Sequence, residues 1–532
     1  MMRSLIIASF LLRLLLIPLD LYRSTDFEVH RNWLAITHSL PLSRWYFEET
    51  SQWTLDYPPV FAYFEWLLSQ FAAAVDPAML RVDNLEYASQ ATVVFQRLSV
   101  ILGDLVLVAG AWQLGSLRLA GNDRWLPVAV LLCNSGLLIV DHIHFQYNGM
   151  MLGLLLLSVA DIERGRTYRG AFFFCVLLSM KQIFLYVAPV YFVFLLRGHC
   201  GCSLLPYPKI LWNQLFRLGA MVVLSFAAMW GPVLIAGGSA AGLQLLQRLF
   251  PFGRGLTHAY WAPNIWALYN TADRVLAKLG FGSQSGQSST AGMAEVYESS
   301  ALWTVPPKAT FILTLLAYYP LLAAIWRQTR PAGASTLTKI SASSSGAFGL
   351  YVALGSAIAF GFGWHVHEKA ILMVTVPLAV VAAGSNSQAL VSATTALSAV
   401  ATFSIMPLLP DRPMETAAKW FLFLAGHLIE HFLLQRRFRS RPAATPSGDV
   451  AAASGSSLLS SIGLGPLLPG WLVALGYVVL GLYRDFGGHK LLLGGRLEFL
   501  PLLLTSDFSA LLVLFSFLRV FWLIPQESSA EA

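Results

Sequence analysis

Charged residues are scarce in this 532-residue chain, where Asp, Glu, Lys and Arg together make up 12% of the residues. Soluble domains contain about 25% of these residues, so the composition excludes an ordinary soluble protein. Apolar residues account for 56%, and the mean hydropathy is +0.62. Apolar runs of about 20 residues, the length of a bilayer-spanning helix, recur along the chain. Since backbone groups cannot stay unpaired in lipid, we predict an all-α polytopic membrane protein.

Cysteine is also scarce, with only four residues, at positions 133, 175, 200 and 202. Two of them fall inside predicted spans, and their spacing is not typical of a disulfide framework or of a structural zinc site. No repeat of solenoid or propeller period is evident. The chain also lacks the two matching halves with broken helices that are typical of inverted-repeat transporters.

The apolar runs predict about fourteen transmembrane helices. Their approximate bounds are residues 3–21, 97–117, 126–140, 149–160, 169–180, 183–197, 216–236, 309–327, 347–362, 368–384, 388–405, 416–434, 464–483 and 498–523. Segment 58–75 is apolar but begins with two prolines and carries Glu65 and Gln70. We predict that this segment lies along the membrane interface, because a further span would invert the orientation of every later helix.

The formal net charge of +7 comes from lysines and arginines in short loops between the predicted spans. Residues 435–441 contain four arginines in seven positions, which indicates a cytosolic loop and a cytosolic N terminus. We therefore interpret the charge as an orientation signal and predict no nucleic-acid partner. Most clusters of aromatic, histidine and carboxylate residues then lie on the opposite face of the membrane. The predicted modules are residues 1–236, with a first non-cytosolic loop at 22–96, a large loop at 237–308, and residues 309–532.

The sequence WTLDYPP, residues 53–59, is a short polar break between apolar regions. Proline disfavours helical geometry in the residue before it and lacks a backbone donor, so Tyr57 and the two prolines predict a stiff, non-helical corner. This corner would hold Asp56 in a fixed position, flanked by the rings of Trp53 and Tyr57. The alternative is that Asp56 only caps the helix that follows.

Two other loops on this face carry candidate substrate contacts. In residues 24–33, Thr25 or Asp26 is expected to cap an amphipathic surface helix whose first turn contains Glu28. Asp26 and Glu28 are candidate substrate contacts in that loop. Residues 141–149 read DHIHFQYNG, and their two histidines do not share a helix face. We therefore expect a loop or turn to present His142, His144 and Gln146. The alternative is a solvated interfacial loop whose histidines bond backbone carbonyls.

Three groups of cations follow. Residues 364–369 read WHVHEK, and His365 and Lys369 can face one anion near a helix N terminus, a suitable site for phosphate. The alternative is an interfacial cluster in which Glu368 pairs with a histidine.

Lys181 is predicted to lie at membrane depth, where burying a cation costs free energy and such residues usually have a function. The loop of residues 248–266 adds Arg254, His258 and Trp261 as donors and flat rings for phosphate or sugar, or as an interfacial aromatic belt.

One carboxylate and several cations on one membrane face suit sugar transfer from a lipid phosphate. The carboxylate can take the proton of an attacking hydroxyl while the cations stabilise the leaving phosphate. A lipid phosphate needs no proton to leave, so one catalytic carboxylate is enough, unlike glycoside hydrolysis with its two carboxylates.

Five segments resemble a known family. They are STDFEVHRNWLAITHSLP at residues 24–41, WTLDYPP at 53–59, DHIHFQYNG at 141–149, RLFPFGRGLTHAYWAPNIWALYN at 248–270 and GWHVHEKAI at 363–371. Together they are similar to the endoplasmic-reticulum dolichyl-phosphate-glucose glucosyltransferases, a branch of the polytopic GT-C glycosyltransferases. The segment HAYWAPN is similar to the family members that add the second glucose rather than the first.

This resemblance implies a GT-C bundle with interfacial helices in the first lumenal loop, and a lumenal active site in the endoplasmic-reticulum membrane. It implies inverting, metal-independent transfer of glucose from dolichyl phosphate glucose to a monoglucosylated dolichyl-diphosphate oligosaccharide, without a cofactor. It also implies that Asp56 is the general base. Our own inference from charge and topology assigns the donor phosphate to His365, His367, Lys369, Lys181 and Arg254.

Three alternatives stay open. The chain could add the first glucose, as the paralogous enzymes do. It could transport lipid-linked sugars, a function that predicts charged residues within spans and paired broken helices. It could be a metalloenzyme that uses the His-x-His pairs at 142/144 and 365/367, in which case activity would require a metal.

Overall fold

The computed structural model describes residues 1–19, 22–203, 209–250, 255–258, 260–281, 299–329, 331, 347–439 and 469–523. Within these ranges the chain is helical, with two isolated β-bridges and no strand. The α-helices up to residue 198 are α1 (Met2–Leu16), α2 (Thr25–Ser39), α3 (Pro59–Val75), α4 (Gln90–Gly115), α5 (Leu126–Leu132), α6 (Ser135–Leu137), α7 (Asn148–Glu163), α8 (Thr167–Leu178) and α9 (Ala188–Gly198). The later ones are α10 (Trp212–Leu249), α11 (Ile265–Lys278), α12 (Pro307–Gln328), α13 (Phe348–Phe362), α14 (Leu372–Gly384), α15 (Gln388–Ile405), α16 (Pro413–Arg439), α17 (Gly470–Asp485), α18 (Gly488–Leu493) and α19 (Leu500–Trp522).

Short helical segments of other types connect some of these helices. The 3-10 segments are Leu42–Phe47, Pro77–Leu80, Gly121–Trp125, Gln182–Val187, Glu368–Ile371 and Met406–Leu408. A π-helix, Leu138–Phe145, follows α6 directly. It ends at Phe145, which has a φ of +84°.

Six helices of the described residues are long and apolar enough to cross a membrane, namely α4, α10, α12, α15, α16 and α19. A seventh span results if the two helical stretches on either side of the 45° bend, Gly121–Leu132 and Ser135–Phe145, are counted as one. Each of the fourteen predicted segments overlaps a helix of the described residues. The helical, polytopic class is thus consistent with the sequence-based expectation, while the number of fourteen crossings stays a prediction.

The helices form two compact units whose segments alternate along the chain. The first unit consists of Met1–Leu117, Val140–Pro251 and Leu322–Val352, and the second of Arg118–Ile139, Phe252–Leu321 and Ala353–Ala532. The division into three consecutive modules stays a prediction.

In the first unit, glycines allow α4 and α7 to approach each other closely. A Cβ atom added to Gly153 of α7 would lie 2.5 Å from backbone atoms of Val106 and Leu107 in α4. A Cβ atom on Gly110 of α4 would lie 2.4 Å from the carbonyl oxygen of Gly153. Small residues give membrane helices this kind of close packing, because it increases the van der Waals contact between the backbones.

Helix α2, also in the first unit, differs from the predicted surface helix. Almost all its residues from Phe27 to Thr37 are buried. The physical reason is that α3 and the segment after it cover α2, and the Arg31 guanidinium of α2 donates to the carbonyl oxygens of Met79 and Arg81. The predicted cap is also wrong: Ser24 is the N-cap residue and its side chain makes no capping bond.

Helix α3 of the first unit begins with Pro59 in its first turn, where a missing N–H costs nothing. Its exposed large apolar residues are Trp66, Leu67, Phe71 and Val75. Such an exposed apolar face is what a helix at the membrane interface requires, but the interfacial placement of residues 58–75 stays a prediction.

In the second unit, α15 is the most deeply buried of the long apolar helices, with 94% of its apolar window inside the protein. Helix α16 lies close to α6, because a Cβ atom added to Gly426 would overlap the Ser135 hydroxyl. That hydroxyl donates to the carbonyl oxygen of Leu422, at 2.6 Å. Helix α15 thus contributes many small and hydroxyl-bearing side chains to the buried interior of the second unit.

Candidate functional site

The predicted corner before α3 is present in the first unit. Pro58 is the N-cap residue of α3, with an extended backbone (φ −63°, ψ 166°), and its side chain makes no capping bond. The N-cap position is thus two residues beyond Asp56, and both the role as a base and the role as a cap stay predictions. The proline corner leaves Asp56 in a half-buried loop, between the buried Leu55 and the half-buried Tyr57.

Side chains from three elements hold the backbone of this loop. In α2, the Trp33 indole Nε1 donates to the carbonyl oxygens of Trp53 (3.3 Å) and Thr54 (3.1 Å). Asn32 Nδ2, next to it in the chain, donates to the same Trp53 oxygen at 3.0 Å. Each of these bonds goes to the main chain, so they fix the path of the loop independently of the side chains that it carries.

The other end of the loop is held in the same way. Gln182 Nε2 lies 3.3 Å from the carbonyl oxygen of Asp56 itself, and it also donates to the Leu249 oxygen at 3.2 Å. The Tyr46 hydroxyl donates to the carbonyl oxygen of Tyr57 at 2.9 Å. Asp56 is thus fixed on both sides by donors that are distant in the sequence.

Two cations lie against the same loop. Lys181 Nζ is 4.9 Å from the centre of the Tyr57 ring, which is a cation–π distance. Arg248 Nη1 donates to the Thr54 hydroxyl at 2.9 Å, and its Nη2 contacts Glu49. Lys181 was predicted from its position in the chain, whereas the contact between Arg248 and Thr54 was missed because no local pattern connects residues 194 positions apart.

Burial and the charge of Asp56 act on the tyrosines around it. Burial, followed by the nearby Asp56 carboxylate, raises the pKa of Tyr57 well above its ordinary value. The pKa of Tyr46 is raised too, by burial first, then by Tyr63 and Asp56. Both phenols therefore keep their protons at neutral pH. They add no negative charge next to Asp56.

Asp26 belongs to a second polar group of the first unit. Gln146 Nε2 donates to Asp26 Oδ2 at 2.6 Å, and His144 Nε2 lies 3.0 Å from the same oxygen. The Ser24 hydroxyl donates to the His144 carbonyl oxygen. Three of the predicted substrate contacts, Asp26, His144 and Gln146, therefore lie together.

His142 and Glu28 lie in other ion pairs. His142 Nε2 is 2.9 Å from Asp104 Oδ2, and Arg13 Nε donates to the same oxygen at 2.7 Å. The two carboxylate oxygens of Glu28 each accept a bond from Arg31, at 2.7 and 2.8 Å. These two predicted substrate contacts are thus engaged by buried arginines within the protein.

The prediction that a loop or turn presents His142 and His144 is wrong, because both lie in the π-helix Leu138–Phe145. The amide of Gln146 contacts the carbonyl oxygen of Asp141, five residues earlier, which is the spacing of a π-helical bond. Such segments are frequent at functional sites, and here the wide turn directs His142 and His144 to different partners.

The second unit brings three of the predicted histidines together. His258, His365 and His367 have ring nitrogens that all lie within 4.8 Å of one another. The rings of His258 and His367 stack with their centres 3.8 Å apart. A parallel bridge between Thr257 and Val366 brings the two segments together. Because this bridge joins residues 109 positions apart, the sequence alone did not predict that His258 joins the HVHEK segment.

Backbone strain and a buried carboxylate accompany these histidines. His365 has a φ of +49°, an unfavourable region for a non-glycine residue, and its Nδ1 lies 2.7 Å from the Gly255 carbonyl oxygen. Glu368 is buried, and its Oε2 lies 3.3 Å from His258 Nδ1. The predicted alternative pairing of Glu368 with a histidine is thus present. Strained residues cluster at functional sites, which is consistent with a binding role for this group.

Lys369 and Trp261 of the second unit have different environments. Lys369 is half-buried, in the 3-10 segment Glu368–Ile371. Trp261 is buried, with its carbonyl oxygen accepting a bond from Ser506 and the Arg274 guanidinium 4.7 Å from its ring centre. It is therefore anchored within the second unit. Arg254 lies outside the described residues.

Comparison with known proteins identifies the family. The profile of the ALG6, ALG8 glycosyltransferase family matches residues 9–520 of the chain. The chain belongs to this family. It is therefore a glycosyltransferase, in agreement with the resemblance of its five segments.

Individual relatives of this glycosyltransferase match it over almost its whole length. A Drosophila melanogaster protein named probable dolichyl pyrophosphate Glc1Man9GlcNAc2 alpha-1,3-glucosyltransferase is 44% identical, over 95% of this chain and 91% of its own. Proteins named dolichyl pyrophosphate Glc1Man9GlcNAc2 alpha-1,3-glucosyltransferase are 41% identical in Arabidopsis thaliana, over 95% and 94%, and 40% identical in Mus musculus, over 96% and 93%.

Proposed function

We propose that this glycosyltransferase transfers glucose from dolichyl phosphate glucose to the monoglucosylated oligosaccharide Glc1Man9GlcNAc2 on dolichyl diphosphate, forming an α-1,3 linkage. The observation that carries the proposal is that relatives 40–44% identical to the chain, over at least nine-tenths of both sequences, are named for this acceptor and this linkage. The family as a whole includes both first-glucose and second-glucose enzymes, and the names of these relatives favour the second.

In this proposal Asp56 is the general base. Its carboxylate takes the proton of the attacking acceptor hydroxyl, while the hydroxyl oxygen forms a bond to C1 of the glucose. The bond between C1 and the phosphate oxygen breaks, and dolichyl phosphate leaves with the electron pair. Since the attacking oxygen arrives opposite the departing phosphate, the configuration at C1 inverts. The fixed main chain around Asp56 supports this role, because a base must hold its position within hydrogen-bonding reach of the hydroxyl.

The cations are proposed to bind the donor phosphate. His365 and His367, with His258 beside them and Lys369 in the next turn, form a group of hydrogen-bond donors in the second unit. Our assignment from the sequence also includes Lys181 and Arg254. Positive charge and N–H donors stabilise the negative charge that collects on a leaving phosphate, which is usually a large contribution to catalysis.

An assay with purified protein tests the proposal. We expect glucose transfer from dolichyl phosphate glucose to the monoglucosylated acceptor, and no transfer to the acceptor that lacks glucose. Asp56→Asn should lower turnover by about 10²- to 10⁴-fold, the usual contribution of a general base. Asp83→Asn, in an exposed position of the same sequence region, is the matched control and should retain turnover.

Other outcomes would favour the alternatives. Transfer to the unglucosylated acceptor would indicate the first-glucose activity. Movement of lipid-linked sugar across a vesicle membrane, without a new glycosidic bond, would indicate a transporter. Near-normal turnover of Asp56→Asn would show that Asp56 is not the base.

The metalloenzyme alternative has one observation in its favour, since three imidazoles lie together in the second unit. The other pair separates, with His142 against Asp104 and His144 against Asp26. We expect full turnover after treatment with a chelator. Loss of activity that zinc restores would instead assign the histidine group to a required metal.

We place the enzyme in the endoplasmic-reticulum membrane with its active site in the lumen. The basic loop at residues 435–441 supports this orientation, because arginines favour the cytosolic side and the predicted spans put the segment with Asp56 on the other side.

A further inference from the structure

We infer that the buried pair of His30 and Glu65 positions the loop that carries Asp56. The pair joins α2 to α3, and α2 provides two of the donors that hold the loop. This inference rests on the proposed function, because it assigns a role in the same transfer. His30 and Glu65 are positioning residues in this scheme, since they act on Asp56 only through other residues.

The pair is deeply buried and closely fitted. His30 Nδ1 lies 2.6 Å from Glu65 Oε1, and the two side chains are 5% and 0% exposed. The other carboxylate oxygen, Oε2, is buried and has no hydrogen-bond partner among the described residues. The single short contact with His30 is thus the polar interaction that compensates for burying this carboxylate, and breaking it would leave a buried group unpaired.

Aromatic rings keep the His30 ring in one orientation. It makes edge-to-face contacts with Trp33, Phe61, Phe145 and Tyr147, with ring centres 5.0 to 5.5 Å apart. Interiors packed this closely allow few other side-chain positions. The contact between His30 and Glu65 therefore fixes the rotation of α2 about its own axis relative to α3.

That rotation determines where the loop lies. Trp33 follows His30 by three residues, so the two share a face of α2. Trp33 donates to the carbonyl oxygens of Trp53 and Thr54, and its ring packs 4.8 Å from that of Tyr57. Asn32 bonds the Trp53 oxygen too. If α2 rotated about its axis, these donors would move. The main chain of residues 53–56, which they hold, would then move with them.

Burying the Glu65 carboxylate between α2 and α3 costs free energy, because the group loses its contacts with water. Replacing a buried ionic pair by apolar residues of similar volume is often neutral or stabilising, whereas removing one partner is not. A short bond between two defined atoms, however, specifies one relative arrangement of the helices, which apolar packing does less sharply. Orientation of α2, rather than stability of the bundle, is therefore the role that the pair suits.

Steady-state kinetics of three variants tests this inference. We expect Glu65→Ala to lower kcat by about 10- to 100-fold with KM values for donor and acceptor within about twofold of the wild type, because a displacement of 1 Å at a reacting group costs about 100-fold. Glu65→Gln keeps an oxygen that accepts a bond from His30 and should restore kcat to within about threefold. Ser69→Ala is the matched control: Ser69 is buried one turn further along α3, and its hydroxyl lies 3.4 Å from His38 of α2.

A double-mutant cycle measures the coupling between Glu65 and Trp33 in kcat. A general loss of stability would not produce this coupling. Trp33→Phe removes the indole donor to the loop, and the loss of kcat in Trp33→Phe/Glu65→Ala should be smaller than the product of the two single losses. Multiplicative losses would overturn the inference, as would an unchanged kcat in Glu65→Ala or an equal loss in Ser69→Ala. If Glu65→Ala does not yield monodisperse protein, Glu65→Leu, which keeps most of the side-chain volume but has no oxygen, replaces it in both the kinetics and the cycle. The same losses are then expected, and multiplicative losses or an unchanged kcat would again overturn the inference.

Asp56→Asn separates this inference from the proposed function. If Asp56→Asn retains turnover, the proposed base is wrong and the positioning role falls with it. If Asp56→Asn is inactive while Glu65→Ala is unaffected, the proposed function stands and only the role of the pair is wrong.

Discussion

Lys419 has no exposed side-chain surface, and its ammonium group lies 2.8 Å from Asp411 and 2.9 Å from Asp485. Arg484 contacts Asp485 through two nitrogens, each at 2.8 Å, and the Trp420 indole donates to the same carboxylate at 2.9 Å. This cluster lies in the second unit, where the ends of α16 and α17 meet. The Asp485 carboxylate is enclosed by partners that satisfy both of its oxygens, so it has a structural role.

We expect Asp485→Asn to destabilise the protein strongly. The substitution leaves the buried Lys419 and Arg484 without their shared counter-charge, and breaking a buried pair in this way costs about 3–5 kcal/mol. The thermal unfolding midpoint in detergent measures the effect. Asp83→Asn, which breaks the pair of Asp83 with Arg81 where both side chains are 68% exposed, is the control and should leave the midpoint unchanged. Equal midpoints for both variants would contradict this assignment.

The sequence indicates the backbone around a single residue better than its distant partners. The corner next to Asp56 was predicted because Pro58 and Pro59 have a strong local effect on the backbone, while the role of Asp56 as the base stays a prediction. Glu65 was noticed as a carboxylate in an apolar helix, but its partner His30 lies 35 positions earlier, and only the packing of α2 on α3 brings them together. For the same reason Gln182, which bonds the main chain of Asp56, was not predicted.

Helices were predicted well where the length and composition of a segment determine whether it is helical. Apolar runs found the helices because a bilayer admits few other structures. Residues 24–39 form the predicted helix, but its burial was missed, since polar residues such as His30 and Arg31 indicate a surface helix when their partners are unknown. The π-helix was missed because the extra residue in its turn leaves no mark in the apolar pattern.

The contact of α4 with α7 gives a prediction for an element. Gly153→Ala should lower the unfolding midpoint, because the new Cβ atom would lie 2.5 Å from the main chain of α4 and neither helix can move without losing other contacts. Overpacking of this kind costs about 1–3 kcal/mol. Gly219→Ala in α10 is the matched control, since nothing lies within 4 Å of its added Cβ atom. We expect its midpoint to stay equal or rise slightly, because alanine favours helix more than glycine does. A stable Gly153→Ala protein would show that the helices separate easily.

For the whole molecule, the arginine-rich loop predicts sidedness. A glycosylation site inserted within residues 282–292 should be modified in microsomes, because that loop is expected in the lumen. The same insertion within residues 443–461 should stay unmodified, since it follows the basic loop at 435–441 on the cytosolic side. Both segments lie outside the described residues. The reverse pattern, observed as a shift in electrophoretic mobility that a glycosidase removes, would invert the orientation and move Asp56 to the cytosol.

The alternation of the two compact units along the chain has a consequence for biosynthesis. The first unit ends with Leu322–Val352, which the ribosome makes only after Phe252–Leu321 of the second unit. At about 5–20 residues per second, the first unit stays incomplete for several seconds after Pro251 has been made. During that interval the helices α4, α7 and α10 of the first unit have been made, but Leu322–Val352 has not. A ribosome that stalls between residues 252 and 321 would therefore release a chain in which both units lack segments. The quality-control machinery would then have to recognise a protein with no completely folded unit.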